Sequence, residues 1–252
     1  SMTNLPSHDM AEVEQNVRGL SLWEGIRSLR PLKGGVSNAA FVVDDASGRF
    51  VARVGSDYPF HQVSRAREAG AHRAAFEAGL SPELVFARDG VMVRYIDART
   101  YGEPDVRGDW HRCLDLVMRT HREVGHRIRG QGAIFWVFQI LRDYAETLRI
   151  ANHRSAPHLA AWMAITDALE AAQVPLPVIF GHHDLLPTNF MDDGKRVWLI
   201  DWEYGAFGTA MFDLANIAAA NSFDTTMEGD MLRGYFGKAP DLALTRAYYA
   251  MK

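Results

Sequence analysis

Apolar spacing divides the chain into an early part with short-period segments and a later part with helical ones. Residues 10–28 place Val13, Val17, Leu20, Leu22 and Trp23 on one side and Glu12, Glu14 and Gln15 on the other, which predicts a helix. Leu29 then opens a run of strands, with breaks at Gly34-Gly35 and at Asp44-Asp45-Ala46-Ser47-Gly48. A helix is predicted over residues 60–78 and stopped by Gly79-Leu80-Ser81-Pro82. Residues 84–87 and 91–96 read as two further strands around Arg88-Asp89-Gly90. Beyond Pro104 the period changes to 3.6 over residues 110–124, 134–150 and 157–172. Pro175 and Pro177 stop the third of these helices, and residues 178–180 form a short strand. Residues 189–191 and 196–200 flank Asp192-Asp193-Gly194-Lys195, an Asp-Gly hairpin signal. A helix opens over residues 211–217, and helical spacing persists through Tyr235, Phe236, Tyr248 and Tyr249. Five strands with one helix, then mostly helix, make an α+β chain whose early part is an antiparallel five-stranded sheet.

Composition narrows the possible partners. The chain has 252 residues, 48% hydrophobic and 23% charged, enough for one large domain or two lobes sharing a cleft. A net charge of −4 and a pI near 6.2 give no basic surplus for nucleic acid or an anionic membrane surface. No run approaches the roughly 18 apolar residues of a membrane span. With a single cysteine no internal disulfide forms, so a reducing, cytoplasmic setting is expected, with Cys113 as a small core residue.

The chemistry concentrates in Phe180-Gly181-His182-His183-Asp184-Leu185-Leu186-Pro187-Thr188-Asn189 and in Ile200-Asp201-Trp202-Glu203. The hairpin between them folds Asp201 back towards Asn189, although twelve positions separate the two. An amide oxygen of Asn189 and a carboxylate of Asp201 suit Mg²⁺, which seeks hard oxygen donors. A bare Asp184 next to a bound hydroxyl can accept its proton. His182 is expected to pack and fix the loop. Gly34 and Gly35 permit close approach of backbone N–H groups to phosphate. Arg53 is the one charge in an apolar strand and needs a carboxylate partner. Glu68 heads the Ala71, His72, Ala75 face of the next helix and is the expected partner, with Glu77 second. Asp224, Glu228 and Asp230 are further acids available to a cation, with solvated helix charges as the default reading.

His182-x-Asp184-x-x-x-x-Asn189 followed by Ile200-Asp201-Trp202-Glu203-Tyr204 resembles the signature of the aminoglycoside phosphotransferase and choline/ethanolamine kinase superfamily, and its wording is most similar to the choline kinase branch. The resemblance implies a protein-kinase-like two-lobe fold. Residues 1–96 would form the nucleotide-binding lobe, and residues 97–252 the helical lobe with catalytic loop and substrate site. It implies ATP and Mg²⁺ as cofactors, with Asp184, Asn189 and Asp201 catalytic and the last two on the metal. Gly34, Gly35, Ser37 and Asn38 resemble the family's nucleotide loop, Arg53 and Glu68 the strand–helix ion pair, and Tyr95 and Ile96 the adenine contact. Asp213 resembles the acid that braces the catalytic loop. Asp184, Glu203 and Tyr204 would meet the acceptor, a small cationic alcohol such as choline or ethanolamine. Alternatives are an aminoglycoside or other amino-alcohol acceptor, an inactive kinase-like nucleotide binder, and a zinc hydrolase on His182, His183, Asp184 and Asp201.

Overall fold

The computed structural model describes residues 7–32, 39–54, 63–87 and 90–252. Strands β1 (Ser28–Leu32), β2 (Ala39–Asp45), β3 (Gly48–Val54), β4 (Leu84–Ala87) and β5 (Gly90–Arg94) form the predicted sheet, in the order β1-β2-β3-β5-β4 with every pair antiparallel. Phe41 stands opposite Ala52, Val43 opposite Phe50, and Ala52 opposite Met92. These residues cluster with Val17 of helix α1 (Ser7–Arg18) on one side of the sheet. Strand alternation therefore sends Arg53, next to Ala52, to the other side.

Several expected boundaries move, among them the start of the helix over 60–78, which begins at Arg65 after an extended Ser64. The helix over 10–28 ends at Arg18, because Gly19 follows and Trp23 folds back to donate its indole N–H to the Val17 carbonyl at 2.6 Å. Leu22 and Trp23 thus reach the core from a turn. The strand over 91–96 ends at Arg94, and Tyr95 continues with one hydrogen bond to the Arg49 carbonyl at 3.1 Å.

Helix α2 (Arg65–Glu77) starts at Ser64, whose side chain accepts from the Arg67 N–H. Its alanines at 71, 74 and 75 are buried in the larger core, which permits close packing. The corner after α2 is bonded to distant chain: the Leu199 N–H donates to the Leu80 carbonyl at 3.0 Å, and Trp202 Nε1 donates to Ser81 Oγ at 2.7 Å. His72 Nε2 donates to the Pro82 carbonyl at 2.8 Å, and burial lowers its pKa to about 4. The unfolded chain binds that proton near pH 6.5, so the fold loses roughly 3 kcal/mol between pH 6.5 and pH 4 as it holds His72 neutral. Melting curves should show a smaller loss over that window for His72→Gln; an identical loss would refute the assignment.

The remainder comprises β6 (Arg99–Thr100), α3 (Glu103–Gly108), α4 (Trp110–Arg119), α5 (Val137–Ile150), α6 (Leu159–Ala171), β7 (Ile179–Gly181), β8 (Phe190–Asp192), β9 (Val197–Leu199), β10 (Ala206–Gly208), α7 (Ala210–Ala220), α8 (Thr225–Phe236) and α9 (Leu242–Met251). The helix expected over 110–124 changes to a wide π turn at Thr120–Val124, where Thr120 Oγ1 bonds back to the Leu116 carbonyl. Cys113 is fully buried in α4, and burial pushes its thiol up to about 12. No helix among the described residues is long and apolar enough to cross a membrane.

Candidate active site

The site begins where β7 delivers the chain into His182-His183-Asp184. A Cβ on Gly181 would lie 2.5 Å from His183 Nε2 and 3.0 Å from Asp213 Oδ2, so only glycine fits. Asp213, in the first turn of α7, accepts the N–H groups of His182 at 3.0 Å and His183 at 2.8 Å, and His121 Nε2 at 2.7 Å. Burial alone would push Asp213 up; His121 and the neighbouring imidazoles hold it well below the usual carboxylate range. His121 sits in the π turn, and its Nδ1 accepts from the Tyr235 hydroxyl at 2.8 Å. It braces the loop from behind, a role its sequence position did not announce.

His182 Nδ1 accepts the Asp184 N–H at 3.2 Å, and its Nε2 donates to the Ile200 carbonyl at 2.8 Å. His183 Nδ1 donates to the Tyr204 carbonyl at 2.9 Å. Among the described residues the possible metal ligands that converge are Asp184, Asp201 and Glu203, a group that includes neither histidine, which disfavours the zinc reading. His183 and Asp201 each have φ of 66°, the left-handed region, at a cost on the order of 1–3 kcal/mol each. Gly181→Ala should disturb this arrangement directly, destabilising the fold by about 1–3 kcal/mol with a parallel loss of activity. Chemical denaturation measures it, and an unchanged midpoint would show that the loop yields.

The β8–β9 hairpin pairs Phe190 with Leu199, and the Ile200 N–H donates to the Asn189 carbonyl at 2.9 Å. Asp193 Oδ1 closes the turn by accepting the Lys195 and Arg196 N–H groups, both at 2.8 Å. Asn189 Nδ2 donates to the Asp184 carbonyl at 2.7 Å, which fixes the amide. Carboxylate oxygens of Asp184, Asp201 and Glu203 all come within 4.8 Å of one another.

Arg53 crosses to this group. Its Nη2 donates to Asp201 Oδ2 at 3.1 Å, and its Nη1 lies 3.1 Å from Asp201 Oδ1 and 3.6 Å from Glu68 Oε1. Arg65 Nη1 meets Glu68 at 2.5 Å and Glu203 at 3.5 Å. The structure thus brings Arg53 and Glu68 together and adds Asp201 to the pair, while Glu77 stands exposed. Arg65 was missed, although it lies one turn before Glu68. Burial raises Asp184, and the nearby Asp201 adds to that. Burial also opposes the charge on Asp201, but Arg53 outweighs it and holds Asp201 low.

Four carboxylates, Asp184, Asp201, Glu203 and Glu68, face two guanidiniums, Arg53 and Arg65. The cluster lacks two positive charges when all are ionised, and the buried Asp201 Oδ1 has the Arg53 ion pair at 3.1 Å but no well-aligned hydrogen bond among the described residues. All-oxygen donors and a charge deficit of two fit a hard divalent cation.

Glu203 and Tyr204 also line a small cavity with Arg67, Phe135 and Ile140. Gly34, Gly35, Ser37 and Asn38 lie outside the described residues. Tyr95 and Ile96 follow β5 and are partly buried, with the Arg49 guanidinium 5.4 Å from the Tyr95 ring centre. Asp224 is spent as the α8 cap, Glu228 is buried against Tyr248 and Lys252, and Asp230 meets Arg233 at 3.4 Å, so all three serve the helices themselves.

The sequence profile of the choline/ethanolamine kinase family matches residues 29–230. Protein LicA of Haemophilus influenzae is 25% identical over 190 residues, covering 73% of this chain and 56% of its own length. A choline/ethanolamine kinase family protein from Mesorhizobium loti superposes with a TM-score of 0.67 at 26% identity, covering 92% of this chain and 78% of that one. Choline kinase LicA from Streptococcus pneumoniae superposes with a TM-score of 0.73 at 20% identity, over 96% and 86% of the two chains, a likeness of fold. The chain spans little more than half the length of the Haemophilus relative.

Proposed function

The profile match spans most of the chain, which belongs to the choline/ethanolamine kinase family, and from that membership we propose that the protein transfers the γ-phosphoryl group of ATP to the hydroxyl of a small cationic alcohol, choline or ethanolamine. The observation that carries the reading is the convergence of Asp184, Asp201 and Glu203 beside Arg53, with Asn189 fixed against Asp184.

In this reading Asp184 orients the acceptor hydroxyl and takes its proton as the oxygen attacks phosphorus. A buried, raised carboxyl is a better proton acceptor than a solvated one. Asn189 and Asp201 would hold Mg²⁺ on the nucleotide, with Glu203 near enough to join them. Bound Mg²⁺ supplies charge neutralisation on the transferring phosphates. Arg53, already tied to Asp201, faces the same charge. Residues 1–96 serve as the nucleotide lobe, with Gly34, Gly35, Ser37 and Asn38 as its phosphate loop and Tyr95 and Ile96 beside adenine; residues 97–252 carry the catalytic loop and acceptor site. A LicA structure 20% identical to this chain holds AMP, which supports an adenine nucleotide here.

The test is an ATP-consumption screen over choline, ethanolamine, other amino alcohols and aminoglycosides. Turnover restricted to small amino alcohols is expected. Turnover with aminoglycosides alone would replace the acceptor assignment, and nucleotide binding without turnover would mark an inactive relative.

A further inference from the structure

Ser81 stands in the corner between α2 and β4, outside every motif of the site, and is fully buried. Its hydroxyl donates to the Leu199 carbonyl and accepts the Trp202 indole N–H at 2.7 Å. A single oxygen atom thus brackets Ile200 and Asp201 from both sides. The corner that carries it is itself held from several directions. The Leu80 carbonyl accepts the Leu199 N–H at 3.0 Å, and the carbonyls of Ala78, Gly79 and Pro82 accept from Arg119, Arg196 and His72. Packing alone does not call for a hydroxyl here, since alanines at 74, 75 and 78 fill the adjoining core.

Asp201 requires such a bracket. Its φ of 66° lies in the left-handed region, and a residue other than glycine stays there only where its surroundings over-determine it. Before it, the Ile200 N–H donates to the Asn189 carbonyl at 2.9 Å and the Ile200 carbonyl accepts His182 Nε2 at 2.8 Å. After it, the buried Trp202 ring meets the His182 ring edge-on, with centres 4.7 Å apart, and its one polar atom is tied to Ser81. Arg53 holds the Asp201 carboxylate, which leaves the backbone to these neighbours.

We infer that Ser81 is a positioning residue for the metal-binding carboxylate: by tying Leu199 and Trp202 to one fixed oxygen, it keeps Asp201 in the conformation that directs its side chain towards Asp184 and Glu203. The inference rests on the phosphotransferase reading above, in which Asp201 holds Mg²⁺. It also gives the corner a task. Helix α2 carries Arg65 and Glu68, which face Glu203 and Arg53, so one corner sets both the helix and the metal carboxylate in register. Removing a group that orients a metal ligand typically costs about 10–100-fold in metal affinity or activity.

The experiment measures Mg²⁺ dependence in Ser81→Ala and Trp202→Phe. The first removes the bridging oxygen; the second keeps an aromatic ring and removes the N–H. Two readouts are taken: the Mg²⁺ concentration that gives half the thermal stabilisation of the protein with ATP, and the concentration that gives half-maximal turnover at saturating ATP and acceptor. Both concentrations should rise roughly tenfold in each variant, with the acceptor KM at saturating Mg²⁺ within about twofold of wild type. The double variant should change them by less than the product of the single effects. A lowered melting temperature with both Mg²⁺ concentrations unchanged would make Ser81 a fold contact only; this would overturn the inference and leave the metal role of Asp201 intact. An acceptor KM that rises as much as the Mg²⁺ concentrations would overturn it in the same way. Full Mg²⁺ dependence surviving in Asp201→Asn would overturn the metal reading and this inference together.

Discussion

Asp184→Ala should abolish phosphoryl transfer, with a loss of about 10²–10⁴-fold in kcat, while the protein still binds MgATP. The acceptor hydroxyl loses its proton acceptor, whereas the Arg53–Asp201–Glu68 group stays in place. Removing a carboxylate within 4.8 Å of Asp201 also relieves like-charge repulsion, so the nucleotide-induced rise in melting temperature should persist. Turnover near the wild-type rate would remove Asp184 from the chemistry. The pH profile gives a second check. The base works ionised, and burial places its pKa above the ordinary 3.8, so kcat/KM for the acceptor should fall with acid at a pH above that of a solvated aspartate. An acid limb at or below the ordinary carboxylate range would contradict the burial argument.

Asp201→Asn should cost about 10³-fold in turnover and remove the Mg²⁺-dependent part of nucleotide binding. Asparagine accepts the left-handed backbone at this position, so the substitution tests charge and not conformation. Arg53 keeps Glu68 at 3.6 Å as a partner, which limits the damage that breaking a buried ion pair would otherwise do. Thermal shifts with ATP, with and without Mg²⁺, separate the effects. A variant that kept the full Mg²⁺ dependence would place the metal elsewhere.

Much of this arrangement was legible in the chain. The five strands show because their faces alternate at period two, and the Asp193-Gly194 turn shows because few residue pairs close a hairpin so tightly. That hairpin brings Asn189 and Asp201 near each other from local geometry alone. Gly181 precedes the loop where a side chain would collide with His183. The illegible parts are instructive in a different way. Trp23 looked helical because a side chain bent back from a turn reaches the same core as one on a helix face. Arg65 lies 3.5 Å from Glu203, a pairing that α2 supplies from about 140 residues earlier and that no local pattern announces. The acids of α8, read by default as solvated helix charges, take specific partners in the folded chain: a cap for Asp224, Tyr248 and Lys252 for the buried Glu228, and Arg233 for Asp230.

Local sequence determined which oxygen donors exist, their order, and the turn that folds one set back on the other, because hairpins and helix faces are governed by neighbours a few residues apart. Tertiary packing alone decided that Arg53 would cross from the sheet to Asp201, that His121 would stand behind Asp213, and that Phe135 would lie flat on His183. Those contacts join groups roughly 50–150 residues apart in the chain, and their geometry comes from how α2, the π turn and β10 pack, which no short-range pattern encodes.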